Sequence, residues 1–290
     1  MIHPDYDSPG SLKTFLEEKG MAMQKKFGQN FLINRQARVK LIDALDINSS
    51  SFVWEVGPGL GAMTEEILQR DAHVTVFEID RGFAACVSNF FSDYEKQGKF
   101  ALVPGDVLKT WKEEAEKKIP DRFFGNLPYN IAATIIADMI EAEVRFEKAV
   151  VTVQKEVAQR MCAKPGDKDY SSFSVLCAWA YDVKPLIDLG GGNFWPRPNV
   201  DSRAVIMTKK EVFPRCKSPE HFQKILRSLF SSRRKTVKNN LTAFYNDGNR
   251  AETILDAAGI DPQIRAEKLS LEQLLHLSDV SYSNIIEDHE

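Results

Sequence analysis

The sequence predicts an α/β protein: a largely parallel seven-stranded sheet covered by crossover helices, followed by a small all-helical C-terminal domain. Three observations carry this. Between Phe52 and Gln154, apolar runs of strand length alternate with stretches of helical spacing. The first run ends in a glycine-rich loop, Glu55-Val-Gly-Pro-Gly-Leu-Gly61, that opens a helix. Past Phe213-Pro214 the strand signal stops and only helical spacing remains.

Taken in order, strands are expected at 52–56, 74–78, 100–103, 122–125 and 148–153, with helices at 62–70, 83–91, 111–118 and 131–142 between them. Residues 185–189 and 204–208 read as two more strands, separated by Gly190-Gly191-Gly192. They complete the seven and end the sheet in an antiparallel pair. Beyond them Phe222, Ile225, Leu226, Leu229 and Phe230 fall at helical intervals, as do Ile254, Leu255 and Ala258, and then Leu271, Leu274, Leu275 and Leu277. Gly248, Gly259 and Pro262 punctuate these segments. The expected division is an N-terminal extension at 1–24, the α/β domain at 25–210 and a helical domain at 211–290.

A chain of 290 residues with 43% hydrophobic content can fill one large core and a small one. No apolar run approaches the roughly 20 residues that cross a bilayer, and the N-terminus lacks the order of a signal peptide, so a cytoplasmic protein is expected. Cys86, Cys162, Cys177 and Cys216 form no Cys-x-x-Cys pair and share no ligand spacing with histidine. Neither disulfides nor a metal are expected. The net charge of −3 argues against a polyanion partner, yet the charge is uneven. Residues 19–40 hold six basic and no acidic side chains; residues 209–238 hold ten basic against Glu211 and Glu220. Local basic stretches of this kind suit nucleic acid, and equally suit a solvated face.

The glycine loop lets the backbone turn tightly and approach a ligand. Glu78 lies 21 positions after Gly57, at the end of the second strand, where a carboxylate can accept from two ribose hydroxyls. NAD and S-adenosylmethionine both fit these features, and so does a purely structural turn. Asp106 favours S-adenosylmethionine. It ends the third strand, where a carboxylate can accept from an adenine amino group, unless it only caps the next turn.

The fourth strand delivers Asn126-Leu127-Pro128-Tyr129. An adenine amino nitrogen is a poor nucleophile because its lone pair is delocalised into the ring. The Asn126 side-chain carbonyl and the Leu127 backbone carbonyl can each take one N–H and turn the lone pair toward a methyl donor. Pro128 fixes the chain direction, and Tyr129 offers a flat ring on which a base can stack. No general base is needed, because the alkylated nitrogen is acidic and loses its proton to water. The competing reading is an ordinary strand-to-helix turn capped by the Asn.

With these residues assembled, the chain resembles the rRNA adenine N6,N6-dimethyltransferase family. The likeness runs from Lys26-Phe-Gly-Gln-Asn-Phe-Leu32 through the glycine loop, Glu78, Asp106 and Gly125-Asn-Leu-Pro-Tyr-Asn130. It continues to Phe194-Trp-Pro-Arg-Pro-Asn-Val-Asp-Ser202, Ser232-Arg-Arg-Lys-Thr236 and Arg265-Ala-Glu-Lys-Leu-Ser270. The resemblance implies a Rossmann-like class I S-adenosylmethionine methyltransferase fold. It implies donor contacts from Asn30, Leu32, Gly57, Glu78, Asp106 and Asn126, and a flipped adenine sandwiched by Tyr129 and Phe194. The implied substrate is a pair of adjacent adenosines in a hairpin loop near the 3′ end of 16S rRNA, dimethylated within an immature 30S subunit by a monomeric enzyme. Gly190–Gly192 departs from the family, whose members commonly carry bulkier residues there, and predicts a loop disordered without RNA. Arg233, Arg234 and Lys235 are placed for RNA phosphates, or for a solvated helix end. The alternatives are a resistance-type 23S rRNA methyltransferase, a non-catalytic RNA-binding assembly or transcription factor, and an NAD oxidoreductase, which gives no reason for Asn-Leu-Pro-Tyr.

Overall fold

The computed structural model of the chain describes residues 3–23 and 29–287. Lys26, Phe27 and Gly28, the start of the first family-like motif, lie outside the described residues, as does Lys25 before them. The chain divides into two compact units.

The first unit comprises Met1–Ile136, Val144–Ala158 and Val183–Lys209. It opens with α1 (Pro9–Glu18), β1 (Phe31–Leu32) and α2 (Arg35–Asp43). Then come β2 (Phe52–Val56), α3 (Ala62–Leu68), β3 (His73–Glu78), α4 (Arg81–Phe90), α5 (Ser92–Lys96), β4 (Phe100–Pro104), α6 (Val107–Lys117), β5 (Arg122–Asn126), α7 (Ala132–Glu141) and β6 (Lys148–Gln154). After α8 (Lys155–Cys162) and α9 (Ser172–Ala180), β7 (Tyr181–Leu189), β8 (Phe194–Trp195) and β9 (Ser202–Lys209) follow.

The seven-stranded sheet has the order β4-β3-β2-β5-β6-β9-β7. The pairs from β4 to β6 are parallel and β9 runs antiparallel to β6, pairing Lys148 with Thr208 and Gln154 with Ser202. This is the expected seven-stranded sheet, with its antiparallel register shown between β6 and β9. The parallel strands β2 and β3 are buried nearly throughout, because helices cover both faces and favour apolar side chains on each. The order reverses at β2, which pairs with β3 on one side and β5 on the other. Such a switch point opens a crevice at the carboxyl ends of the strands, where ligands bind.

Several elements extend or escape the expected ones. β7 begins at Tyr181 rather than near 185, and α6 begins at Val107 because the Asp106 side chain caps it, accepting from Leu108 N at 3.1 Å. Within the N-terminal extension, α1 starts with Ser8 as cap and Pro9 in its first turn, and buries Leu12, Phe15 and Leu16. β1 and β8 form a separate antiparallel pair, Phe31 opposite Trp195 and Leu32 opposite Phe194. The Gly190–Gly192 loop forms a defined turn: a 3-10 helix spans Gly191–Asn193, Asn193 N and Nδ2 both donate to Gly190 O, and the Arg197 side chain covers Gly191.

The second unit comprises Ala137–Glu143, Gln159–Asp182 and Lys210–Glu290, and so draws on more chain than residues 211–290. Its C-terminal helices are α10 (Pro219–Phe230), α11 (Val237–Tyr245), α12 (Gly248–Ala257) and α13 (Leu271–Glu287). α9 belongs here because it is apolar on nearly all sides: Trp179 packs its ring against Phe213 and Phe222, and Nε1 donates to Pro214 O at 2.8 Å. Asn240 ties α11 to α10 by donating to Leu229 O at 2.8 Å.

Candidate active site

A cavity lies at the switch point, at the carboxyl ends of β2 to β5. Asn30, Leu32, Gly57, Glu78, Asp106 and Asn126, the six residues expected to touch a donor, all line it, and Pro128 joins them. Leu127, Tyr129 and Phe194 are not in its lining.

The glycine loop after β2 forms one wall. Gly59 sits at φ +57°, and a Cβ there would come within 2.9 Å of the Phe31 ring. Only glycine lets β1 seat on the loop this closely. Gly59 N donates to Glu78 Oε2 at 3.1 Å, while Glu78 Oε1 accepts from Asp80 N at 2.8 Å. Burial outweighs these bonds and pushes the Glu78 carboxyl up to about 7.

Glu55, which the sequence places in the glycine-loop motif without a role of its own, is a second buried carboxyl in the same lining. It accepts from Thr64 Oγ1 at 2.7 Å, and burial raises it to about 8. The available signal was a carboxylate inside an apolar strand, between Trp54 and Val56. Two buried acidic groups in one cavity favour a cationic ligand, whose charge would stabilise their ionised forms. Asp106 Oδ1 accepts from Leu108 N as the helix cap. The cap uses one oxygen of a side chain that also lines the cavity.

The fourth strand ends in the Asn-Leu-Pro-Tyr turn. Asn126 Nδ2 donates to Asn30 O at 3.0 Å. A backbone carbonyl can face only the amide nitrogen, so this bond fixes the amide and leaves Oδ1 as the acceptor for an incoming donor. Leu127 N donates to Thr152 O at 3.1 Å, which holds the following peptide to the sheet. The Leu127 side chain folds back over Gly125, where a Cβ would lie 2.4 Å from its Cδ2. Pro128 O accepts from Ile131 N and Ala132 N and starts α7.

The Tyr129 hydroxyl pairs with Ser202 Oγ at 2.7 Å, and burial raises its pKa. Ser202 is fully buried at the start of β9, so it anchors the hydroxyl end of the ring; in the sequence Ser202 is no more than the end of a family-like motif. Phe194 is 4% exposed and packs in a core cluster with Leu32, Leu189 and Ala204. Most of its ring is therefore covered. In the helical unit Arg233 is tied down, donating to Lys168 O at 2.6 Å and pairing with Glu267 at 3.2 Å. Arg234 and Lys235 are exposed. Among the described residues, no cluster of three or more His, Cys, Asp or Glu is placed to share a metal ion, and no helix is long and apolar enough to cross a membrane.

The cavity, the buried carboxyls and the oriented amide fit S-adenosylmethionine, and known proteins point the same way. The model of the ribosomal RNA adenine dimethylase family matches residues 20–282. Ribosomal RNA small subunit methyltransferase A of Treponema denticola is 47% identical over 281 residues, 96% of each chain. A crystal structure of a dimethyladenosine transferase from Plasmodium falciparum superposes with a TM-score of 0.69 at 26% identity, covering 84% of this chain and 94% of that one. The 23S rRNA methyltransferase ErmE, 23% identical, shares the fold with a TM-score of 0.62 over 87% of this chain and 99% of its own. With a family match across almost its whole length and a curated relative at 47% identity, this chain belongs to the ribosomal RNA adenine dimethylase family.

Proposed function

We propose that the chain transfers methyl groups from S-adenosylmethionine to the N6 amino groups of two adjacent adenosines in a hairpin loop near the 3′ end of 16S rRNA, giving N6,N6-dimethyladenosine during 30S subunit assembly. It does so as a cytoplasmic monomer without a metal ion. The observation that carries this reading is the Asn126 amide, held by Asn30 O so that its oxygen is the available acceptor. The match to ribosomal RNA small subunit methyltransferase A over 96% of the chain supports the small-subunit target.

S-adenosylmethionine supplies an electrophilic methyl on a sulfonium. Asn30, Leu32, Gly57, Glu78, Asp106 and Asn126 hold the donor, Glu78 through its ribose and Asp106 through its adenine amino group. Asn126 Oδ1 and the Leu127 carbonyl each accept one N–H of the target amine and turn its lone pair out of conjugation. Pro128 keeps the two acceptors aimed. Holding both reactants in this geometry contributes about 7–11 kcal/mol to the rate enhancement. The nitrogen forms a bond to the methyl carbon as the sulfur–carbon bond breaks, and its proton leaves to water. Tyr129 gives the extruded base a stacking face, worth roughly 1–3 kcal/mol. A second face from Phe194 requires its ring to be uncovered as RNA binds. Arg234 and Lys235 meet phosphates, and residues 211–290 supply the rRNA-binding helices.

The test is incubation with labelled S-adenosylmethionine and undermethylated 30S or 50S particles, with the methylated nucleosides identified by mass spectrometry. Dimethyladenosine confined to 16S rRNA supports the proposal. Label in 23S rRNA, or none in either particle where an established enzyme labels the same substrate, refutes it.

A further inference from the structure

Residues 3–23, for which the sequence suggests no role, help to build the donor cavity. Tyr6 and Leu12 lie in its lining beside Asn30 and the glycine loop. Tyr6 is 8% exposed, and its hydroxyl donates to Leu60 O, inside that loop, at 2.8 Å. Behind it α1 packs Leu12, Phe15 and Leu16 against Leu60 and Phe83. The next residue, Asp7, pairs with Arg38 Nη2 at 2.6 Å. Arg38 also lines the cavity, is 4% exposed, and donates through Nη1 to Leu32 O at 3.0 Å.

The Asp7–Arg38 pair reaches β1 through Leu32. Leu32 stands two residues after Asn30, whose carbonyl orients the Asn126 amide, and Phe31 between them seats on Gly59. Segment 5–7 is therefore bonded to both loop-borne walls of the cavity, to the glycine loop through Tyr6 and to β1 through Asp7 and Arg38. Stability alone gives no reason for this design. Arg38 is a buried guanidinium whose partner Asp7 remains 45% exposed, and its Nε has no partner among the described residues. An apolar side chain of similar volume would pack there at lower cost.

We propose that Tyr6, Asp7 and Arg38 are positioning residues for the methyl donor, locking the glycine loop and β1 into one wall before the donor binds. The inference rests on reading the cavity as the S-adenosylmethionine site.

The test is calorimetric binding of S-adenosylmethionine to the full chain carrying Tyr6→Phe, Arg38→Met or Arg38→Lys, with donor and particle KM measured in parallel. Removing one or two such bonds is expected to weaken donor binding about five- to thirtyfold and raise the donor KM in step. The particle KM should stay near the parent's, and Arg38→Lys should recover part of the loss. A purely structural role would lower the melting temperature without changing donor affinity well below it. Donor affinity within about twofold of the parent in folded Tyr6→Phe would overturn the proposal, whatever the fate of Arg38→Met. A parent chain that binds no S-adenosylmethionine would instead remove the reading of the cavity itself, and the inference with it.

Discussion

Asn126 and Asn30 are joined by one hydrogen bond, Nδ2 to backbone O at 3.0 Å, that crosses from the end of β5 to the start of β1. It decides which end of the Asn126 amide is left free as an acceptor in the cavity. Replacing Asn126 by Asp removes the donor, sets a carboxylate against the Asn30 carbonyl and disturbs the aim of the acceptor. Asn126→Asp and Asn126→Ala are both expected to lower kcat by roughly 100-fold or more, the scale seen when an oriented electrostatic interaction is removed. Single-turnover methylation with both substrates saturating checks this, and near-normal turnover in either variant would refute the assigned role.

Tyr129 and Ser202 make a separable prediction. Tyr129→Phe keeps the stacking ring and loses only its bond to Ser202, so it should retain most of its affinity for the particle, whereas Tyr129→Ala should lose about 1–3 kcal/mol of it. Ser202→Ala leaves the partly buried hydroxyl without its partner and should cost about 1 kcal/mol of stability. Particle binding titrations and urea denaturation distinguish the two effects.

The buried carboxyls predict a pH dependence. Glu55 and Glu78 lie near 8 and 7 in the folded chain against an ordinary value of 4.5. The native state thus keeps protons that the unfolded chain releases. Their contribution is complete below about pH 4.5 and is lost as pH rises through 7 and then 8. Glu55→Gln keeps the shape and a group that can bond Thr64, so between about pH 5 and 9 its ligand-free melting temperature should fall less steeply than the parent's. Parallel curves would contradict the assignment. A cationic donor favours the ionised carboxyls, so its affinity should increase over the same interval.

The helical unit separates charge from structure. Arg233 is held by Glu267 and the Lys168 carbonyl, so Arg233→Ala should lower the melting temperature of that unit. Reversing Arg234 and Lys235 to Glu should leave stability unchanged, weaken binding to the immature subunit and flatten its salt slope by about 0.7–0.9 for each phosphate no longer neutralised. Filter binding across a salt series provides the test. Unchanged affinity and slope would exclude a phosphate role for these two residues.

The catalytic scaffold was legible because parallel strands buried on both faces leave continuous apolar runs, as at Phe52–Val56, and because glycines and carboxylates punctuate their ends. The six residues proposed to hold the donor could be named because each stands at such an end or in a family-like motif. Tyr6 and Arg38 could not. Each acts through a partner distant in sequence, Leu60 and Asp7, and neither bond leaves a local pattern. β1 and β8 are only two residues each, too short for an alternating signal. α9 was missed because an almost wholly apolar helix has no amphipathic stripe. The burial of Phe194 follows from its pairing with Leu32, which only the folded chain reveals.

The most direct measurement is the mass of the 3′-terminal fragment of 16S rRNA after reaction with undermethylated 30S particles, for the parent chain and for Asn126→Ala. The expected result is a fragment carrying two methyl groups on each of two adjacent adenosines with the parent and an unmodified fragment with the variant. An unmodified fragment with the parent, methylation elsewhere in the rRNA, or full modification by Asn126→Ala would contradict the account.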